Sequence, residues 1–201
     1  MSSPTPPVLT PSEYLELERK SELRNEYIDG RMREMPRTNI WHSTIGGNLL
    51  GEISSQLRRR ACEVFNCGLR VKVSSTGMYT YADIVALCGK PELEDEHEDT
   101  LLNPSVIIEV FSDSSEAYDR GEKFANYRRI ESLREYVLVS QNKILVEHYR
   151  REKDQWRLSE VSGPDAVLHL ESIDCHVAVS TIYEKVEFAG ISSREKQALS
   201  S

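Results

Sequence analysis

The chain has 201 residues, of which 39% are hydrophobic and 29% are charged, a composition that suits one folded domain and excludes general disorder. No apolar run approaches the roughly 18 residues that a membrane-spanning helix needs. The first residues, MSSPTPPVLTPSEY, lack the basic and apolar regions of a secretory signal, so we expect a cytoplasmic protein.

The formal net charge of −8 argues at first against a nucleic-acid partner. Six of the acidic residues, however, lie in one segment, PELEDEHEDT, and without them the charge is −2. Basic clusters remain at Arg58, Arg59 and Arg60 and at Arg128 and Arg129. A solvated acidic loop with ordinary surface charge is the simpler interpretation, so charge alone neither supports nor excludes DNA.

The cysteines match no zinc-binding spacing, since Cys62 and Cys67 are separated by four residues and no second close pair follows. We expect Cys62, Cys67, Cys88 and Cys175 to be ordinary buried or free thiols, as is usual in the cytoplasm.

The first predicted element is a short helix that follows a Pro- and Ser-rich lead-in. Thr10 can cap it, Pro11 suits its first position, and Glu13 can reach back to the cap, so a helix should run to about Leu23. The next segment, EYIDGRMREM, alternates on both sides of Asp29-Gly30, which predicts a β-hairpin with a type I′ turn.

An amphipathic helix is predicted over residues 42–60, because apolar residues recur there at every fourth position. Strands are expected at residues 62–66, 69–74, 81–88 and 105–111. The segments DIVAL and VIIEV are almost entirely apolar, which is typical of central strands covered on both faces. A helix over residues 115–130, capped by Ser114 or Ser115, should follow. REYVLVS, KILVEHYR and DQWRLSEV predict an antiparallel series, and residues 180–186 predict a last short helix before a polar tail.

Two acidic residues interrupt the apolar strands, Asp83 in YADIVAL and Glu109 in SVIIEVF. Burying an unpaired carboxylate is costly, so each needs a cation, a metal ion or a place at the edge of the sheet. If the two strands are neighbours, both carboxylates can approach one Mg²⁺, which commonly binds one or two carboxylates together with waters and a substrate phosphate.

The following helix adds a lysine to this pair. Asp119, Lys123 and Tyr127 are spaced four residues apart and therefore share one helical face. A lysine near two carboxylates can orient an attacking water or neutralise charge on a phosphate. Taken singly, these residues are explained as well by an exposed Asp119–Lys123 ion pair and a surface glutamate. Their strand–strand–helix order favours an active site.

This arrangement resembles the PD-(D/E)XK nuclease superfamily, and more closely its Uma-type group of candidate restriction endonucleases, long catalogued as a domain of unknown function. The similar segments span roughly residues 24–160 and are NEYIDGRMREM, WHSTIGGNLLGEI, YADIVAL, PSVIIEVFSDSSEAYDRGEKFANYRRI and REYVLVSQNKILVEHYR. The resemblance implies an α/β (α+β) fold. Its restriction-endonuclease-like core would be a mixed central β-sheet flanked by helices, followed by an antiparallel β-rich C-terminal part. We expect one domain over residues 10–188, between flexible segments at residues 1–9 and 189–201.

By this resemblance, Asp83 and Glu109 correspond to the two acids of the superfamily motif. The chain departs from that motif in having Ala82 where a proline precedes the first acid and Phe111 where the lysine stands. In the Uma-type group the lysine lies on the following helix, the position that Lys123 occupies here. The resemblance therefore implies catalytic roles for Asp83, Glu109 and Lys123.

The implied metal ligands for Mg²⁺ or Mn²⁺ are Asp83, Glu109, the carbonyl of Val110 and Glu26, which belongs to the group's opening motif EYIDG. Glu26 is explained equally well as a solvent-facing hairpin residue. The candidate supporting residues are Tyr127, Asp119 and His42. The simpler interpretation of Tyr127 is a core tyrosine, and that of His42 is a capping or hydrogen-bonding residue at the start of its helix. Candidate contacts to the DNA backbone are Arg58, Arg59, Arg60 and Arg128.

We therefore predict a metal-dependent endonuclease that hydrolyses DNA phosphodiester bonds, with a symmetric homodimer as the simplest way to cut both strands. The alternative is a catalytically inactive nuclease-fold module that binds DNA or protein, which Phe111 and the acidic net charge favour. A structural oligomer whose acids only form ion pairs is a third possibility.

Overall fold

Two β-sheets and a separate β-hairpin organise the chain in a computed structural model that describes residues 8–163 and 165–188. The predicted flexible segments at residues 1–9 and 189–201 lie almost wholly outside this described part. The helices are α1 (Pro11–Glu18), α2 (Ile40–Leu57), α3 (Glu116–Tyr118), α4 (Phe124–Tyr127) and α5 (Val179–Ile182), and a π-helical turn (Asp119–Lys123) joins α3 to α4. The strands are β1 (Asn25–Ile28), β2 (Arg31–Glu34), β3 (Cys62–Asn66), β4 (Arg70–Val73), β5 (Met78–Tyr81), β6 (Ile84–Cys88), β7 (Thr100–Leu101), β8 (Val106–Phe111), β9 (Glu135–Ser140), β10 (Val146–Glu152), β11 (Gln155–Val161), β12 (Val167–Leu170) and β13 (Cys175–Ala178).

The larger sheet has the strand order β11-β10-β9-β8-β6-β3, and the smaller sheet has the order β2-β1-β5-β4-β7. Strands β8 and β9 pair in parallel, whereas their neighbours in the larger sheet pair antiparallel. Strands β12 and β13 form the hairpin. The predicted mixed central sheet with an antiparallel C-terminal part is therefore confirmed.

Local sequence signals explain the first two elements. The Thr10 side chain and Glu13 form the predicted capping box with Pro11 in the first turn. The helix ends at Glu18 rather than near Leu23, because the Glu18 carboxylate accepts the main-chain N–H of Asn25 at 2.9 Å and the chain turns into β1. Asp29 and Gly30 have φ angles of 48° and 79°, as the type I′ turn requires.

The larger sheet is covered on both faces, as its apolar strands predicted. One face packs against α2 through Ile45, Leu49, Ile53 and Leu57, the residues that the four-residue repeat identified. The opposite face, which carries Ile107 and Phe111 of β8, packs under the segment 116–133 and the smaller sheet. Since side chains alternate along a strand, Glu109 lies on the same face as Ile107 and Phe111 and points toward that helical segment.

Two predicted elements prove to be divided. The segment predicted as one strand over residues 81–88 contains a break at Ala82 and Asp83, where the chain passes from β5 in the smaller sheet to β6 in the larger one. The prediction that Asp83 lies inside a strand was therefore wrong, because an apolar run does not reveal a change of sheet. The helix predicted over residues 115–130 is interrupted by the π-helical turn. Ser115 is the N-cap residue of α3, but the Ser115 side chain makes no capping hydrogen bond.

The cysteines and the acidic segment also differ from expectation. Cys62 and Cys88 face each other across β3 and β6 and form a disulfide, so the expectation of free thiols holds for Cys67 and Cys175 but is wrong for this pair. In the acidic segment, Asp99 pairs with Arg19 and Arg70. Asp95 also pairs with Arg19, and Glu94 pairs with Lys72. This loop is therefore partly fixed to the smaller sheet rather than only solvated.

Within residues 8–163 and 165–188, no helix is both long enough and apolar enough to cross a bilayer.

Candidate active site

A cavity of about 540 Å³ opens between the β1–β2 hairpin, the first turn of α2 and the segment that follows β8. Its lining brings together charged side chains that are widely separated in sequence, namely Glu26, Asp83, Glu109, Asp119 and Lys123. The cavity lies where the two sheets meet, because Asp83 stands at the passage from β5 to β6.

Asp83 lies beside Glu109 because β6 and β8 are antiparallel neighbours. Ile84 pairs with Ile108, so the next step along each strand places Asp83 across from Glu109. One oxygen of Asp83, Oδ2, accepts the main-chain N–H of Val110 at 2.7 Å and lies 3.1 Å from Nε2 of His42. The carboxylates of Asp83 and Glu109 were expected to approach each other if their strands were neighbours. Strands β6 and β8 are neighbours, so this condition is met.

His42 reaches this site from the first turn of α2. Asn39 is the capping residue of that helix, and its side chain accepts the main-chain N–H of His42 at 2.9 Å. The His42 ring is thereby directed at Asp83 and lines the cavity. The ring of His42 thus contacts Asp83, and the cap of α2 is supplied by Asn39 and not by the His42 side chain.

Glu109 is buried and directly contacts the lysine of the helical segment. Its Oε1 lies 2.9 Å from Nζ of Lys123 and accepts a hydrogen bond from the hydroxyl of Tyr127, also at 2.9 Å. Burial raises the pKa of Glu109 to about 8, and the nearby charges of Asp83 and Asp119 act in the same direction, against the opposing effect of Lys123. A cation bound beside Glu109 would therefore displace a proton as well as neutralise charge.

Lys123 lies among three carboxylates on the floor of the cavity. Its Nζ is 2.9 Å from Glu109, 3.6 Å from Glu26 and 3.9 Å from Asp119. Burial by itself lowers the pKa of Lys123, but attraction to these carboxylates outweighs burial and raises the pKa well above its ordinary value. The surrounding carboxylates thus favour the charged form of Lys123. A surface ion pair with Asp119 does not describe this lysine, because both side chains are buried.

Glu26 joins the cluster from the smaller sheet. It is buried, and its Oε2 accepts a 2.7 Å hydrogen bond from the hydroxyl of Tyr118. The hydroxyl of Thr80, on the neighbouring strand β5, donates to Oε1 of Glu26. A solvent-facing role for this hairpin residue is therefore excluded.

The donor atoms in the cavity are carboxylate oxygens, the ligand type that Mg²⁺ and Mn²⁺ prefer. Among the described residues, only a different group of three side chains places its ligand atoms within 4.8 Å of one another, so these carboxylates do not form a closed three-ligand cage. Mg²⁺ usually keeps several waters and binds through one or two carboxylates. The adjacent pair of Asp83 and Glu109 fits that requirement, and Glu26 lies 3.6 Å from Nζ of Lys123.

None of the arginines predicted to contact DNA lines the cavity. Arg58 directly follows α2, sixteen residues after His42, which corresponds to about 24 Å along the helix axis. Arg60 binds the carbonyl of Asp174 beyond that end of the helix, and Arg128 ends α4.

The cavity contains two other cations that the sequence analysis did not select, Arg33 and Arg37. Arg33 pairs across the hairpin with Glu26, and its guanidinium lies 4.5 Å from the ring centre of Tyr118. The position of Arg33 could have been predicted from the sequence. The Asp29-Gly30 turn fixes the register of the hairpin, and this register places Arg33 opposite Glu26.

Comparisons with known proteins agree with this architecture. The family model described as "Uma2: Putative restriction endonuclease" matches residues 11–180. "Uncharacterized protein sll1609" of Synechocystis sp. (strain ATCC 27184 / PCC 6803 / Kazusa) is 32% identical over 163 residues, which cover 81% of this chain and 92% of that protein. "Uncharacterized protein slr1290" of the same organism is 32% identical over 183 residues, which cover 90% and 95%.

A solved structure shares the fold. A crystal structure described as "a putative nuclease belonging to DUF820", from Anabaena variabilis ATCC 29413, matches with a TM-score of 0.74. The match covers 89% of this chain and 99% of that chain at 21% sequence identity. At this identity the similarity establishes the common fold.

Proposed function

This chain belongs to the Uma2 family, and from that premise we propose that it is a metal-dependent endonuclease that hydrolyses phosphodiester bonds in DNA. The observation that carries the proposal is the 2.9 Å contact between Lys123 and Glu109 at the floor of a cavity that Asp83 also lines. Two acids and a lysine are the charged groups that the superfamily's chemistry requires, and here the lysine comes from the helical segment instead of position 111.

In this proposal Asp83 and Glu109 hold Mg²⁺ or Mn²⁺, with the carbonyl of Val110 as a further ligand and Glu26 acting through a water. A divalent ion bound there would supply a water of lowered pKa and polarise the scissile phosphate. The hydrogen bond from the main-chain N–H of Val110 fixes Oδ2 of Asp83, which keeps this carboxylate directed toward β8.

Lys123 acts as a fixed positive charge and hydrogen-bond donor. Its raised pKa keeps it protonated, so it can orient a water or offset the negative charge that develops on the phosphate, but it cannot serve as the general base. Tyr127 holds Glu109 in place through its hydrogen bond, and Asp119 adds a further negative charge 3.9 Å from Nζ of Lys123. His42 is a positioning residue for Asp83.

The DNA backbone is proposed to enter the cavity along Arg33 and Arg37, whose charges can contact the phosphates on either side of the scissile bond. Arg128 would be a further contact to the DNA backbone. Arg58, Arg59 and Arg60, beyond the far end of α2, would contact the duplex at a greater distance. A distance of about 24 Å along α2 corresponds to about seven nucleotides at 3.4 Å per nucleotide of one strand. These arginines can therefore share one bound duplex with the cavity, but they cannot share one phosphate.

A single domain over residues 10–188 that works in the cytoplasm as a homodimer completes the proposal. Strand β11 (Gln155–Val161) is an edge of the larger sheet and is largely exposed, so it offers a surface on which a second copy can pair. A two-fold axis would present one cavity to each DNA strand.

The test is a calorimetric titration of Mg²⁺ and Mn²⁺ into the wild type and Asp83→Ala, followed by incubation with supercoiled, linear and single-stranded DNA. We expect cation binding and cleavage by the wild type and loss of both in the variant. A wild type that binds neither ion, even with a DNA oligonucleotide present, and that cuts none of these substrates would refute the enzymatic proposal. Salt-dependent DNA binding without cleavage would instead identify the non-catalytic DNA-binding module.

A further inference from the structure

The β12–β13 hairpin carries a set of metal-ligating side chains outside the cavity described above. Along β12, Leu168 and Leu170 point into the core, and along β13, Cys175 and Val177 do the same. The alternation of side chains therefore directs His169 and His176 outward on the same face.

The register of the hairpin places the two histidines directly opposite each other. His169 pairs with His176, and their rings are stacked with centroids 4.1 Å apart. Asp174, the last residue of the connecting turn, has a φ angle of 48° and brings its carboxylate to the same place. One ligand atom from each of the three residues lies within 4.8 Å of the other two.

The backbone that carries these ligands is held by the C-terminal part of α2. The Gln56 side chain donates to the carbonyl of His176 at 2.7 Å and accepts its main-chain N–H at 3.0 Å. Arg60 donates to the carbonyl of Asp174 at 2.8 Å. The main chain is thus anchored while the three side chains remain exposed and can turn toward a shared ion.

We propose that His169, Asp174 and His176 form a binding site for a borderline divalent transition-metal ion, Zn²⁺ under cellular conditions. Two imidazoles and one carboxylate are a common three-residue set for Zn²⁺, which takes a water as its fourth ligand. Mg²⁺ prefers oxygen ligands throughout and is a poor match to two histidines. The ion would join the turn to both strands and stabilise the hairpin against local opening.

Arg60 is the competing cation at this site. Its guanidinium lies 3.3 Å from Oδ2 of Asp174, so a metal ion would use the other carboxylate oxygen or displace this contact. Asp174 is 74% exposed at its side chain, which leaves it room to do either. Neither histidine ring is hydrogen-bonded to any residue that the structure describes, so the imidazole nitrogens are accessible to an ion.

The site is independent of the proposed nuclease centre. Gln56, which anchors His176, is fourteen residues from His42, or about 21 Å along α2. The two sites also differ in chemistry, because one offers carboxylate oxygens and the other mainly imidazole nitrogens. Failure of the zinc proposal would therefore leave the nuclease proposal untouched, and the reverse also holds.

The experiment is a calorimetric titration of Zn²⁺ into chelator-treated full-length protein, repeated with Co²⁺ to record the d–d absorption spectrum. Asp83→Asn is used as the background so that the cavity does not contribute. We expect one equivalent of Zn²⁺ to bind with a tetrahedral Co²⁺ spectrum. Both His169→Ala and His176→Ala should bind at least ~10-fold more weakly, since even loss of an outer-shell partner costs about 10–100-fold.

The matched control is His97→Ala, since His97 is an exposed histidine 3.4 Å from Asp95 but belongs to no three-ligand group among the described residues. It should leave zinc binding unchanged. All three histidines are exposed, and circular dichroism will verify that each variant is folded. Equal zinc affinity in His169→Ala, His176→Ala and His97→Ala, or no zinc binding in the Asp83→Asn background, would overturn the proposal.

Discussion

Replacing Lys123 by methionine tests the proposed placement of the catalytic cation most directly. The methionine keeps much of the volume of the lysine but removes a positive charge that lies 2.9 Å from Glu109. If the divalent ion binds Glu109, Lys123 and the ion repel each other, and Lys123→Met should bind Mg²⁺ more tightly than the wild type while losing cleavage. A variant that gains metal affinity and loses cleavage would separate metal binding by Glu109 from the proposed role of Lys123 in cleavage.

The size of the effect follows from the geometry. A Mg²⁺ ion about 2.1 Å from Oε1 of Glu109 lies at most about 5 Å from Nζ of Lys123, because Oε1 and Nζ are 2.9 Å apart. At an effective dielectric constant of about 20, the repulsion between charges of +1 and +2 at ~5 Å is about 7 kcal/mol before the surrounding carboxylates and solvent reduce it. One fifth of that value, about 1.4 kcal/mol, already corresponds to a tenfold lower Kd, so we expect at least a tenfold gain.

The assay is calorimetric titration of Mg²⁺ at pH 9, above the pKa of about 8 to which burial raises Glu109 in the wild type. Lys123 opposes that rise, so its removal raises the pKa of Glu109 further, and the protons released on binding are measured in the same titration so that their competition is subtracted. Without metal, Lys123→Met should be less stable by about 3–5 kcal/mol, the usual cost of breaking a buried ion pair, and Mg²⁺ should restore part of this loss. The matched control is Lys72→Met, which removes a lysine paired with Glu94 outside the cavity. A folded Lys123→Met protein with unchanged or weaker Mg²⁺ affinity would show that the ion does not bind at Glu109.

Three further predictions concern pH, DNA and the core. With chelator present, the free energy of unfolding of the wild type should fall relative to that of Glu109→Gln as the pH rises from 4.5 through about 8 in urea titrations. The folded pKa of Glu109 lies above its ordinary value of 4.5, so the stabilisation by its proton is complete below pH 4.5 and is lost on passing pH 8; parallel curves would contradict this. In plots of the logarithm of the DNA-binding constant against the logarithm of salt concentration, Arg33→Ala should make the negative slope shallower by about one. Arg31→Ala, on the same strand but outside the cavity, should leave the slope unchanged. Leu49→Ala should cost about 2–5 kcal/mol in urea denaturation, against less than about 0.5 kcal/mol for Ile40→Ala at a residue that is 68% exposed, and equal losses would rule out the core assignment.

Local patterns predicted the elements whose cause is local. The four-residue repeat of α2 and the Asp29-Gly30 turn both determine structure within a few residues of themselves, and both were confirmed. Asp83 and Glu109 were expected to approach each other if their strands were neighbours, and β8 is indeed the neighbour of β6 in the larger sheet.

Features that depend on distant parts of the chain could not be predicted in the same way. Glu26 reaches Lys123 only through the packing of one sheet against the other, which no local pattern encodes. Cys62 and Cys88 become partners only once the register of β3 and β6 is fixed. The β12–β13 hairpin was missed because its turn, Glu171–Asp174, contains no glycine and its strands are only four residues long.

The π-helical turn at Asp119–Lys123 makes chain length a constrained property of this segment, in addition to the identities of Asp119 and Lys123. Each residue of an α-helix advances the chain by about 100°, so deleting one residue from the turn would restore the α-helical repeat and swing Lys123 away from Glu109 by about that angle. A side chain at Gly121, by contrast, would meet no heavy atom within 4 Å. Relatives can therefore vary freely in composition at Gly121, whereas an insertion or deletion beside it should mark a chain in which the lysine no longer reaches the acids.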